Sequence, residues 1–292
     1  MGRIREIKKR MIAVSNIERI TKTMQLIATA KFTTALTRTT ATKPYTEKIR
    51  QLVGEVSAAA GDVEHPLLAS PPEKTNRQLL LVITSDRGLC GAYNGSVLRK
   101  AMVKVRDLRE SNTEIILETS GKKAVGFFKF QRIPVAERHT IGDKPAYEDV
   151  NHLATRYIKE FSEGKYDAIS VAYMRYESNA RQLPELMKLL PLSTDAVEEV
   201  ESTGAPQANY DFSPSSEELL DALLPLTVKT SLFQAFNDAV VSEQIMRMVA
   251  MKAATENAKD LSKTLRRQFN RARQTQITTE LMEVIAGSAA LE

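Results

Sequence analysis

Ten residues of the chain, SDRGLCGAYN (85–94), combine the types from which catalytic turns are built: Asp86, Arg87, the glycines Gly88 and Gly91, and the single cysteine, Cys90. They follow the apolar run QLLLVIT, and a strand that leads through a glycine turn into a helix is where α/β proteins commonly hold phosphates or nucleophiles. Phosphate binding is weakly supported, because glycines at this spacing match neither G-x-G-x-x-G nor G-x-x-x-x-G-K-[ST]. A thiol nucleophile needs a base, and none of the three histidines, His65, His139 and His152, is placed near Cys90 by the sequence. The structural reading is stronger: a small buried thiol under a strand-to-helix turn, with Asp86 or Asn94 accepting bonds from backbone amides. Elsewhere the carboxylates lie on solvated helix faces and no cluster has metal-ligand spacing. No catalytic residue, metal or cofactor is expected.

The elements that would position such a turn follow from the rest of the 292 residues, a length that allows one or two domains with a sizeable core. One cysteine can form neither an internal disulfide nor a C-x-x-C pair, which suits a reducing compartment. The longest apolar runs, such as LLLVI, fall far short of the roughly 20 residues that cross a bilayer. The start, MGRIREIKKRMIAV, is basic and amphipathic like a transit peptide, but its pattern continues past residue 30 and reads as mature structure. The formal charge of +5 is unevenly spread: Arg3, Arg5, Lys8, Lys9 and Arg10 crowd the beginning, while Asp195, Glu198, Glu199 and Glu201 form a distant acidic segment. Polarised charge suits a docking surface, and the basic ends lack the interleaved aromatics of a nucleic-acid binder.

Residues 1–60 read as one long helix. Apolar residues fall at Ile4, Ile7, Met11 and Val14 and then, after a one-residue slip, at Ile17, Ile20, Met24 and Ile27. The threonine-rich TTALTRTTATK is a weak point, and Pro44 should kink the helix or end its first part. The C-terminal segment, 213–292, mirrors this: Leu261, Leu265, Phe269, Ala272, Ile277, Leu281 and Val284 keep helical spacing, and Pro225 marks a kink or a fresh start. Two such helices at opposite ends of a chain pair most simply as an antiparallel coiled coil. Between them, about 77–205, the strand-like QLLLVIT, TEIILET and YDAISVAYMRYES alternate with the helical NGSVLRKAMVKVRDLRES and EDVNHLATRYIKEFSEG. That alternation predicts parallel βαβ units in a central Rossmann-like α/β domain. EEVESTGAPQANYDFSPSS reads as the linker back to the second helix.

Four stretches carry a family resemblance: IERITKTMQLIATAKF (17–32), SDRGLCGAYN, SEQIMRMVAMKAATENA (242–258) and NRARQTQITTELMEVIAGSAAL (270–291). Together, and in this order over nearly the whole chain, they resemble the gamma subunit of rotary F-type ATP synthases. The resemblance implies a central-stalk rotor with no catalytic site of its own. Its terminal helices would turn inside the hexamer of alpha and beta subunits, and its α/β domain would meet epsilon and the c-subunit ring. It also implies a peripheral place on the cytoplasmic face of a bacterial membrane, which the unprocessed start suits.

Carried over position by position, the resemblance makes Met24 a shaft residue facing a beta subunit. It makes Arg273 and Gln274 polar partners of a beta loop, and Ile277, Leu281, Val284 and Ile285 an apolar tip inside a greasy collar. Tyr210 falls near the foot that meets the c ring. From spacing alone, Met24 and Leu281 read equally as coiled-coil core. Phe32, where the family commonly has a smaller aliphatic residue, and the threonines after it depart from the pattern, and the regulatory dithiol of the chloroplast branch is absent. Two other readings stay open: a Rossmann-type nucleotide-binding enzyme and a basic coiled-coil protein that binds nucleic acid.

Overall fold

The structure, a computed structural model, describes residues 2–60, 65–69, 74–192 and 216–289. The expected linker and Tyr210 lie outside the described residues. The elements run α1 (Gly2–Ala60), β1 (Arg77–Ile83), α2 (Tyr93–Glu110), β2 (Glu114–Ser120), α3 (Lys122–Phe130), β3 (Glu137–His139), α4 (Tyr147–Ser162), β4 (Ala168–Tyr176), β5 (Gln182–Leu190) and α5 (Ser216–Ala289). They form two compact units, one of residues 30–246 and one of residues 1–29 with 247–292.

The larger unit is built on a five-stranded sheet of order β3-β2-β1-β4-β5. β1 pairs in parallel with β2 and β4, β2 in parallel with β3, and β4 antiparallel with β5. Three expected strands and two expected helices are present; α3, β3 and β5 are additional. β5 carries Pro184, which argues against a central strand but is tolerated at a sheet edge, where one strand face has no hydrogen-bonding neighbour.

Side chains alternate along β1: Leu80 and Val82 enter one apolar cluster with Val97, Ala101 and Val105 of α2 and with Phe128 of α3. Leu79, Leu81 and Ile83 face the other way, onto α4 and onto Leu224, Val228, Leu232 and Phe236 of α5. Parallel strands need cover on both faces, and here the first part of α5 supplies much of the second layer. The apolar positions of that part recur at helical spacing, and burial of each such side chain is worth roughly 1.5–3 kcal/mol.

Neither proline ends its helix. α1 runs through Pro44, and α5 begins before Pro225 and continues past it. A proline removes one intrahelical bond, a loss outweighed here by packing on both sides: Ile49, Val53 and Val56 follow Pro44, and Leu220, Leu224 and Val228 flank Pro225, all buried. Several threonines of α1 are accommodated by bonding back to the preceding turn, as Thr34 does to the Ala30 carbonyl (3.1 Å) and Thr37 to that of Thr33 (3.0 Å), whereas the buried Thr39 hydroxyl has no partner among the described residues. Thr39 and Thr46 are buried, and Phe32 is also buried, edge-on to Tyr176 with ring centroids 6.5 Å apart.

In the smaller unit α1 and α5 pair antiparallel, and the seam corrects the expected stripe. The inward positions of α1 are Ile4, Ile7, Met11, Val14, Glu18, Thr21, Gln25 and Ala28, in alternating steps of three and four with no slip. Those of α5 are Met251, Thr255, Ala258, Ser262, Leu265, Phe269, Ala272 and Gln276, so that Ser262, rather than Leu261, holds a seam position. Ile17, Ile20 and Ile27, each about half exposed, lie outside it. Reading apolar residues alone produced the slip, because the helix keeps its heptad by placing polar residues inside. The Thr255 hydroxyl donates to that of Thr21 across the seam (2.8 Å), which fixes register at the cost of apolar burial.

Val14→Ala should therefore weaken the coil by roughly 1 kcal/mol or more, whereas Ile17→Ala should change it by less than about 0.5. Thermal unfolding of the isolated chain followed by circular dichroism checks this. Equal losses at the two positions would restore the stripe through Ile17.

Candidate partner interface

The antiparallel register sets how far the paired segment extends. With Thr21 opposite Thr255, Gly2 of α1 lies at about the level of Arg273 and Gln274, and among the described residues no helix pairs with the rest of α5. Past Gln276, every described side chain as far as Ala286 is exposed: Ile277 at 56%, Leu281 at 59%, Val284 at 72% and Ile285 at 53%. Ile277, Leu281, Val284 and Ile285 share one helix face, since they lie four, seven and eight residues along from the first. An exposed apolar face of this kind is a candidate interaction surface.

Arg273 and Gln274 are exposed just before this segment, with Gln274 on a shallow groove beside Arg271, Thr278 and Met282. Met24 is half-buried, on a second outer stripe with Ile17, Ile20 and Ile27. The expected site residues thus fall into two sets within the coil unit, one on the outer face of α1 and one on the unpaired end of α5. Leu281 is not seam, and Met24 lies at its margin.

The turn that opened the chemical question is closed. Cys90 is buried, and the Asn94 amide nitrogen lies 3.1 Å from its sulfur, with no histidine among its described partners. Asn94 Oδ1 accepts from the Ser85 backbone N–H (3.0 Å). Asp86 Oδ1 accepts from the Lys122 N–H (2.9 Å), so the first turn of α3 is already served by a carboxylate of the protein. Gly91 takes φ 59° and Gly121 φ 96°; a Cβ on Gly121 would lie 2.1 Å from the Thr84 carbonyl oxygen. The glycines serve tight backbone geometry.

α/β sheets bind ligands at the carboxyl edge of their parallel strands. Here that edge is covered by Phe236, Ala239, Val240 and Glu243 of α5, which leave a cavity of about 20 Å³ against Ile83, Thr84 and Gly121. That is room for about one water, and Asp86, Asp143 and Glu243 on its walls oppose an anion.

One polar cluster was invisible in the sequence. Glu118, buried on β2, accepts at the same oxygen from Arg156 Nη2, the Tyr157 hydroxyl and His139 Nε2, each at 2.7 Å, while Arg156 Nη1 donates to Glu137 (2.7 Å). Burial pushes the Glu118 carboxyl up, but the bonds from His139, Arg156 and Tyr157 prevail and hold it below its ordinary 4.5. Glu118, Glu137 and His139 are close enough to share a cation, yet the Arg156 guanidinium already bridges both carboxylates. The cluster ties the short edge strand β3 and helix α4 to β2. No local pattern announces it, because its members come from three separate elements, β2, β3 and α4, and meet only through sheet topology.

A carboxyl whose value is depressed by folding stabilises the fold above its unfolded value and loses that contribution as pH falls through the folded one. Glu118→Gln should cost roughly 2–4 kcal/mol at neutral pH, by leaving Arg156 less than fully paired. Below pH 4.5 the native chain should lose stability more steeply than this variant. Urea unfolding as a function of pH measures both slopes, and parallel slopes would mean that Glu118 is not the ionised acceptor.

Comparison with known proteins shows the family of the chain. The chain matches the ATP synthase family over residues 3–291. It is 44% identical over 296 residues to the ATP synthase gamma chain of Rhodopirellula baltica and 36% identical over 292 residues to that of Leptospira biflexa, covering 100% of each chain in both comparisons. Among solved structures, it shares its fold with a chain of the Euglena gracilis mitochondrial ATP synthase in an OSCP/F1/c-ring structure. The TM-score there is 0.65 at 20% identity, with 99% of this chain and 95% of that one covered. A chain of the Euglena rotor structure aligns at TM-score 0.62 and 19% identity, over 94% of this chain and 99% of that one.

Proposed function

The chain belongs to the ATP synthase gamma-chain family, and on that premise we propose how this central-stalk rotor subunit, itself non-catalytic, engages its complex. The unpaired end of α5 turns within a collar made by the alpha and beta subunits, with Ile277, Leu281, Val284 and Ile285 as the bearing face. Arg273 and Gln274, just before it, bond to a beta loop, and Met24 faces a beta subunit from the outer stripe of α1. Residues 1–60 and 213–292 supply the shaft, and 77–205 the domain that meets epsilon and the c-subunit ring, with Tyr210 at that foot. The subunit sits peripherally on the cytoplasmic face of a bacterial membrane; no helix among the described residues is long and apolar enough to cross one.

The observation that carries the bearing assignment is the run of exposed apolar residues on a helix that has outlasted its partner. Coupling then works as a population shift: each orientation of an asymmetric shaft favours one conformation of each beta subunit, and ion flow that turns the shaft moves the three sites through successive nucleotide affinities. The filled carboxyl edge of the sheet disfavours the nucleotide-enzyme reading.

Leu281→Asp places an unpaired carboxylate where burial of leucine is worth roughly 1.5–3 kcal/mol. Assembly with alpha and beta should fall, or ATP-driven ion pumping should lose its coupling to hydrolysis, while helicity of the isolated chain is unchanged. Size-exclusion yield and pumping in vesicles measure this; if both are unaltered, the face is wet and the bearing assignment fails.

Met24→Cys, oxidised to a cysteine placed on the facing beta subunit, should stop multi-site ATP turnover and release it on reduction. Full turnover by a quantitatively crosslinked complex would remove Met24 from the torque path.

A further inference from the structure

The amino edge of the same sheet, remote in sequence from the shaft segments, carries a cleft of about 570 Å³. Three lysines line it: Lys74 before β1, Lys104 on α2 and Lys188 on β5. Its polar floor includes Gln78 of β1 and Ser170 of β4. Like-charged ammonium groups gathered in one cleft need either counter-charges or another local reason to be there.

Counter-charge is short, since Asp167 is the one carboxylate lining the cleft against three lysines. Among the described residues none of the three lysines has a carboxylate within ion-pair distance. Asp167, the acid on the rim, has one oxygen taken by the Thr75 N–H (2.7 Å) and hydroxyl (2.9 Å), and the nearby Glu114 is paired with Arg77 (2.6 Å). Lysines close to a helix C-terminus often serve its free carbonyls, but three of the last four of α2 are served already. The Ser111 N–H donates to the Asp107 carbonyl (3.1 Å), that of Asn112 to Arg109 (3.1 Å) and that of Thr113 to Leu108 (2.9 Å). The floor also lacks a partner: the carbonyl oxygen of the Gln78 side chain is buried with no donor, and Ser170 is a buried polar residue on the same sheet face.

We propose that this cleft is a binding site for a phosphate group. Ammonium groups of Lys74, Lys104 and Lys188 neutralise the phosphate oxygens, the Ser170 hydroxyl donates to one of them, and the orphaned Gln78 oxygen accepts from a P–OH or from a hydroxyl of the esterified alcohol. The same chemistry is offered by free inorganic phosphates and by anionic phospholipid headgroups. It shares no residue with the bearing face of α5 or with Met24, so the proposal and the bearing assignment can fail independently.

The test uses the purified full chain, the double variant Lys104→Gln/Lys188→Gln and, as a control for general basicity, Lys129→Gln on α3. Each is titrated calorimetrically with inorganic phosphate and pyrophosphate, and each is floated with phosphatidylglycerol–phosphatidylcholine vesicles and with phosphatidylcholine alone. In at least one arm the native chain should bind, the double variant should bind at least about tenfold more weakly, and the control should stay within about twofold. Loss confined to the soluble anions assigns a free phosphate, and loss confined to the anionic vesicles assigns a headgroup. No binding up to about 10 mM in any arm, or equal binding by all three proteins, would overturn the proposal. So would an oligoglutamate peptide bound in a lysine-dependent way by a chain that ignores both phosphates and vesicles, since the cleft would then dock protein carboxylates.

Discussion

A parallel sheet cannot leave either face in water, and much of this structure depends on what covers the second face. Helices α2 and α3 cover one side; α4 covers only part of the other. Most of the remainder is taken by α5, whose Leu220, Leu224, Val228, Leu232 and Phe236 enter the core beside Leu79, Leu81 and Ile83, with Val53 and Val56 of α1 in the same cluster. Because the cover is the leading part of a helix that continues to Ala289, the chain commits one continuous element to two tasks. Its first part holds a domain together, and its later part forms a coil with α1. The same commitment removes a function: where α/β enzymes keep an open crevice, Phe236, Ala239 and Val240 stand, and Asp86 occupies the helix N-terminus that a phosphate would seek.

What could be read in advance divides along a physical line. Local periodicity announces amphipathic helices and buried strands, so α1, α2, α4, α5, β1, β2 and β4 were legible, as was the α/β head between two long helices. β5 was not, because Pro184 in a strand is permitted only by an edge position, and edge positions are a property of topology rather than of sequence. β3 has only three residues and no period to detect.

The coil seam shows a different limit. An apolar stripe is a proxy for burial, and it fails wherever a helix buries polar groups. Glu18, Thr21 and Gln25 hold seam positions while Ile17, Ile20 and Ile27 look outward. The proxy failed because two apolar stripes with different purposes lie side by side on α1, one for α5 and one unpartnered. Of the site, the motifs marked which segments matter, but exposure at Leu281 became visible only once the register showed where α1 begins. Glu118 was unreadable for a further reason: its three donors come from β3 and α4, and only the fold brings them to one oxygen.

The two edges of the sheet now contrast in a way that constrains what each can bind. At the carboxyl edge, helix N-termini and turn amides point toward a ligand position, and a backbone alone can hold a phosphate there; in this chain that position is filled by its own carboxylates and by α5. At the amino edge the helix dipoles point the wrong way, since α2 presents its C-terminal carbonyls. An anion can be held there only by side-chain charge, and side-chain charge is what Lys74, Lys104 and Lys188 provide. Affinity at such a site rests on ammonium groups exposed to screening, so it should be modest and salt-sensitive, unlike that of a backbone cradle. A chain whose carboxyl edge is filled by its own α5 and carboxylates thus keeps, at the opposite edge of the same sheet, a cleft whose chemistry suits a phosphate.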